Sequence, residues 1–99
     1  MLVEPFGPLV PLIAFDSFED MILKANSLPF GLAVYVFTRS EKTTEMLVES
    51  LESGGIAVNP AAPVPSDLPY GGFKDSGNGY KGAIKGVEAY LHKQLVSLA

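Results

Sequence analysis

Twice before Pro60 the chain passes from a short apolar run into a stretch of helical spacing. Residues 9–15, LVPLIAF, are almost wholly apolar. Such a run suits a strand buried on both faces of a parallel sheet. Pro11 cannot donate to a ladder, which puts that end at an edge or a bulge. Asp16 can then cap a helix, with Glu19 three residues on, as a capping box requires. Phe18, Met21, Ile22 and Ala25 follow at i, i+3, i+4 and i+7, one apolar stripe on a helix. Pro29 and Gly31 stop it. Residues 32–38, LAVYVFT, are β-branched and aromatic and read as a second strand. Ser40 can cap a second helix over roughly residues 41–53, with Leu47 and Leu51 facing inward. Gly54 and Gly55 are placed to end it with a left-handed C-cap. Residues 56–59 make a third, very short strand.

Residues 60–82 break the pattern. Prolines stand at 60, 63, 65 and 69, then glycines at 71, 72, 77, 79 and 82. A long irregular segment inside a small domain is usually functional or disordered. A third helix is expected over about residues 83–90, weakened by Gly86, and a last strand over residues 92–98, HKQLVSL. Strands alternating with helices argue an α/β fold: a β-α-β-α-β layer with mostly parallel strands, the long irregular loop 60–82, and a C-terminal helix and strand. The 99 residues form one unit, with no internal repeat and no linker.

Composition excludes several functions. The net charge is −4 and the seven Lys and Arg are scattered, so no nucleic-acid partner is expected. No apolar run approaches the length of a membrane span, and the first residues lack the pattern of a signal peptide, so a cytoplasmic location and no membrane partner are expected. There is no Cys and a single His, which removes thiolate chemistry and leaves no expected metal site. His92 has no acid–base partner nearby in sequence and reads as a surface or interface residue. Apolar residues make up 47% of so short a chain, which points to surface meant for a partner or for missing chain.

Gly77-Asn78-Gly79-Tyr80-Lys81-Gly82 is a literal G-x-G-x-x-G. A phosphate cradle of that type needs a strand before it and an acid about 20 residues on. Residues 73–76, FKDS, read as polar turn, and the last acid is Glu88. The favoured reading is a turn network whose glycines take positive φ.

Five pieces carry a resemblance in order and spacing: EPFGP (4–8), SFEDMILKANSLPFGLAVYVFT (17–38), ESGGIAVN (52–59), LPYGGFKDSGNG (68–79) and VEAYLHKQLVS (87–97). This succession closely resembles the C-terminal fifth or so of the aldehyde dehydrogenase superfamily. The resemblance implies an NAD(P)-dependent parent enzyme that oxidises an aldehyde, with a lean toward semialdehydes, to a carboxylate. It implies that Glu4 binds the nicotinamide-ribose hydroxyls and that Phe6 packs by the nicotinamide ring. A carboxylate has two acceptor oxygens, which suit a vicinal diol. A residue before proline is held extended, so Pro5 fixes Glu4 and Pro8 fixes Gly7. The segment 60–72 resembles the family's substrate-entrance loop, with Val64 and Tyr70 as candidate substrate-lining residues and Ser66 a further polar contact. Tyr70 carries a hydroxyl that can meet a polar substrate tail, or its ring can simply pack under the loop.

Residues 90–99 resemble the family's oligomerisation strand, implying a homo-oligomer. The family's chemistry uses a Cys thiolate that attacks the aldehyde and a Glu general base that activates water, both upstream of the EPFGP-type motif. Neither can be assigned here, so catalytic residues are none, and the chain alone is expected to be inactive and to bind little or no NAD(P). The alternative is a stand-alone small α/β interaction or ligand-binding module, a gene remnant without catalysis.

Overall fold

A computed structural model describes residues 6–59 and 66–99. Helix α1 spans Phe18–Asn26, followed by strands β1, Phe30–Gly31, and β2, Ala33–Val36. Helix α2 spans Glu41–Ser50 and leads to β3, Gly55–Val58. Strand β4, Phe73–Lys74, and helix α3, Ala83–Glu88, complete the order. The fold is α/β.

Strands β2 and β3 pair in parallel across α2, with Ala33 opposite Gly55 and Val36 opposite Val58. A parallel pair needs such a crossover, because its strands cannot be joined by a tight hairpin. The β2–α2–β3 unit is therefore the α/β motif expected from the alternation. Asn59 extends it: its backbone N–H donates to the Val36 carbonyl, its Oδ1 accepts from the Thr38 N–H, and its Nδ2 donates to the Thr38 carbonyl. Strand β1 pairs antiparallel with β4 instead, Phe30 opposite Lys74 and Gly31 opposite Phe73.

Helix α2 begins where expected, with Ser40 Oγ accepting from the Thr43 N–H. It ends at Ser50, short of the expected residue 53, and Leu51 is already extended at φ −82°, ψ 128°. Gly54 and Gly55 are not a left-handed cap. They are glycine because other backbone and side-chain atoms occupy the space a β-carbon would need. Helix α1 is capped one residue later than expected. Ser17 Oγ accepts from the Asp20 N–H, and Asp20 Oδ2 accepts in return from the Asp16 N–H. Asp20, not Glu19, closes the reciprocal pair, because the true cap shifts the box by one residue. Phe18, Met21 and Ile22 of the expected stripe are half-buried, while Ala25 is exposed.

Two expected strands are absent. Residues 9–15 and 92–98 form neither helix nor strand. A strand exists only beside another strand. Among the described residues no strand pairs with either segment; the Ala14 carbonyl accepts from the Lys24 ammonium instead, and Pro11 removes one donor from the first. Their apolar side chains face solvent: Leu12 is 92% exposed and Leu95 94%.

The buried apolar core among the described residues consists of Leu47, Leu51 and Ala57, beneath α2 and β3. Val36 is half-buried, while Phe15, also expected on an inner face, is exposed. The radius of gyration is 17.6 Å. A compact domain of this length has about 13 Å. The unpaired terminal segments account for the difference in kind: apolar chain projecting from a small centre.

Candidate functional site

The irregular segment returns to the sheet at Tyr70. Its N–H donates to the Lys81 carbonyl at 2.8 Å and its carbonyl accepts from the Lys81 N–H at 2.9 Å, an isolated antiparallel bridge. The Lys81 ammonium stands 5.6 Å from the centre of the Tyr70 ring, within cation–π range. The Tyr70 hydroxyl donates to the Leu32 carbonyl across a long 3.4 Å. The ring edge lies against Gly55, whose ideal β-carbon would stand 2.9 Å from Tyr70 Cε2. Tyr70 thus lies over the start of the parallel pair, half-buried, with its hydroxyl spent on backbone.

Beside it opens a cleft of about 350 Å³, lined by Leu32, Tyr70, Ser76, Asn78, Tyr80, Lys81 and intervening glycines. It joins apolar walls to a few polar groups, the usual make-up of a small-molecule site. The Ser76 hydroxyl accepts from the Gly31 N–H. Gly77, Gly79 and Gly82 have φ of 133°, 86° and 79°, so the G-x-G-x-x-G stretch is the turn network expected. Phe73 and Lys74 before it do form a strand where polar turn was expected. That strand is only two residues long and antiparallel, not the parallel strand of a dinucleotide-binding unit.

Phe6 is 98% exposed, a free aromatic face. The turn at its back is closed by the Leu9 N–H donating to the Gly7 carbonyl at 2.8 Å. Glu4 and Val64 lie outside the described residues. Phe6 and Tyr70 are therefore the two candidates whose surroundings are described, and no contact joins their segments among the bonds above. Ser66 and His92 are exposed.

Sequence reasoning missed Lys74 and Asn26, which organise the ground beneath Tyr70. Asn26 Nδ2 donates to the Ser50 carbonyl and its Oδ1 accepts from the Glu52 N–H. Lys74 Nζ donates to the Asn26 and Leu28 carbonyls and pairs with Glu52. The interrupted helical stripe ending in Asn26, just before Pro29, was the one available signal of a polar staple there.

Among the described residues, no group of three or more His, Cys, Asp or Glu could hold a metal ion, and no helix is long and apolar enough to cross a membrane.

The sequence matches the aldehyde dehydrogenase family over residues 1–96. It is 44% identical over 91 residues to 4-(hydroxymethyl)benzenesulfonate dehydrogenase of Comamonas testosteroni, covering 92% of this chain and 19% of that protein. It is 40% identical over 95 residues to succinate-semialdehyde dehydrogenase [NADP(+)] of Saccharomyces cerevisiae, covering 96% of this chain and 19% of that protein. The fold superposes on betaine aldehyde dehydrogenase from Staphylococcus aureus, solved in complex with NAD+, with a TM-score of 0.80 at 32% identity, over 86% of this chain and 17% of that one. This chain belongs to the aldehyde dehydrogenase family. It spans about a fifth of the length of the relatives it matches.

Proposed function

We propose that this chain is the C-terminal part of the catalytic domain of an NAD(P)-dependent aldehyde dehydrogenase that oxidises an aldehyde, favouring semialdehydes, to a carboxylate. The observation that carries the reading is the family match along residues 1–96. Two relatives, the yeast succinate-semialdehyde dehydrogenase and the Comamonas sulfonate dehydrogenase, are named for substrates that carry a second, anionic group. That supports a polar-tailed aldehyde, met by the cleft beside Tyr70.

In this reading Glu4 holds the nicotinamide ribose and Phe6 lies along the nicotinamide ring, while Val64 and Tyr70 line the aldehyde passage. The bound NAD(P) supplies the hydride acceptor. The chain's own part is to place that acceptor and to shape the passage, which is what a protein contributes around such a cofactor. The nucleophile and general base belong to sequence outside these residues, which hold no Cys. The isolated chain is inactive and binds NAD(P) weakly, because two contacts to the nicotinamide riboside cannot replace those to the rest of the cofactor. Residues 90–99 form the oligomerisation strand once another strand lies beside them, giving a homo-oligomer. The protein acts in the cytoplasm, with no nucleic-acid or membrane partner.

The exposed apolar segments support a piece of a larger fold over a self-contained binding module, since a monomer rarely exposes so much contiguous apolar surface. The test is to read the source gene upstream of the Met1 codon. An open frame of several hundred residues containing a Cys and a Glu in dehydrogenase contexts is the expected result. A stop codon directly before Met1 would overturn the reading in favour of a free-standing module.

A further inference from the structure

Lys74 adopts a backbone conformation that most residues avoid, with φ of 53°. A left-handed backbone is unfavourable for a residue with a β-carbon, and such strain persists only where the surroundings over-determine it. Two features hold it there: the turn closed by the Ser76 N–H donating to the Phe73 carbonyl, and the bonds of the lysine's own ammonium. The ammonium donates to the Asn26 carbonyl at 2.9 Å and the Leu28 carbonyl at 3.2 Å, and it pairs with the Glu52 carboxylate. An ammonium has three donors, and three acceptors surround this one. Two of them are carbonyls at and just beyond the end of α1, where a cation also meets the negative end of the helix.

The neighbouring bonds fasten the same strip of chain. The Asp75 N–H donates to the Pro29 carbonyl, and the Gly31 N–H donates to Ser76 Oγ. Residues 73–76 are thus pinned to residues 26–31. The strip just before them then has one place to lie, with the Gly71 carbonyl against Gly54 and the Tyr70 ring against Gly55.

We propose that Lys74 is a positioning residue: its ammonium sets where residues 70–72 cross the β2–β3 pair, and so where Tyr70 stands in the substrate passage. The functional meaning rests on the reading of Tyr70 given above. The register itself can be measured without aldehyde or nucleotide, so the two fail separately.

The test is NMR of the full chain. The Gly55 α-protons lie beside the Tyr70 ring and carry its ring-current shift. Lys74→Met keeps the aliphatic stem and removes the ammonium. The expected result is that the Gly55 shifts collapse toward ordinary glycine values and that amide exchange at Tyr70 and Lys81 accelerates by about tenfold or more, with β2 and β3 amides unchanged. Lys74→Gly relieves the left-handed strain without restoring the ammonium, and it is expected to show the same displaced Gly55 signals. Unchanged Gly55 shifts, or a uniform acceleration of all amides, would overturn the proposal. Should Lys74→Met fail to fold, Lys74→Gly decides alone: movement of the Gly55 signals supports the proposal, and unmoved signals overturn it.

Discussion

The carbonyl oxygen of Gly71 occupies the space that a β-carbon on Gly54 would fill, and Gly72 Cα would lie 3.2 Å from that same carbon. Two backbones, one leaving α2 and one leaving the long loop, are in direct contact. Neither can retreat cheaply, because Gly54 is bonded through its N–H to the Gly31 carbonyl and Gly55 to the Leu32 carbonyl. Gly54→Ala is therefore expected to destabilise the chain by about 3 kcal/mol, at the upper end for overpacking, since the obstacle is backbone and not a flexible side chain. The urea midpoint followed by circular dichroism measures it.

Asn26 joins the ends of the two longer helices through one side-chain amide. Its Nδ2 donates to the Ser50 carbonyl at 2.8 Å, part-buried, and its Oδ1 accepts from the Glu52 N–H at 3.0 Å at an exposed position. Asn26→Ala leaves both backbone groups without these partners and is expected to cost about 2 kcal/mol. Asn26→Asp keeps the acceptor, loses the donor and adds a charge near Glu52, so it should not rescue. The same denaturant titration decides both.

Asp20 responds to pH in a known direction. Its hydrogen bond with the Lys24 ammonium at 2.6 Å, and then the one from the Asp16 N–H, hold its carboxyl below the usual carboxylate range. A depressed value means the folded state prefers the ionised form. The contribution is therefore present above the ordinary carboxylate value and is lost as pH falls through the lower, folded one. Amide protection in the first turn of α1 should decline over that acid window, and Asp20→Asn should flatten the response. An identical pH profile in wild type and Asp20→Asn would contradict this.

Local rules made much of this fold legible. Ser40 caps α2 as read, and the β-branched run around Val34 became one strand of the parallel pair. The stripe of Phe18, Met21 and Ile22 found its inner face. What escaped was what depends on remote partners. Residues 9–15 have the composition of a buried strand, but pairing is a property of two segments. The spacing of Gly54 and Gly55 after a helix suggested a cap, whereas the reason for glycine is a loop nearly 20 residues downstream. Lys74 read only as part of a polar turn, since the three acceptors of its ammonium lie at the end of α1, just beyond it and at Glu52. Of the candidate site, the glycine turn network of residues 77–82 was legible in the sequence, while the bridge between Tyr70 and Lys81 was not. Nor was the use of the Tyr70 hydroxyl on Leu32, because Leu32 is remote in sequence.

The isolated chain is expected to turn over no aldehyde. Purified to remove host dehydrogenases, it should give no NADH or NADPH formation with aliphatic, aromatic or semialdehyde substrates. Persistent turnover that follows the chain through purification would contradict the assignment of catalysis to residues outside it.

The most direct measurement of the central claim is a segment graft. These 99 residues replace the matching segment of the Saccharomyces cerevisiae succinate-semialdehyde dehydrogenase, and the hybrid is assayed with NAD+ and NADP+. The account predicts a working dehydrogenase whose KM for nucleotide rises at least tenfold with Glu4→Gln, about 1.4 kcal/mol for the loss of one charged contact to the ribose. A folded hybrid that is inactive, or one indifferent to Glu4→Gln, would contradict it.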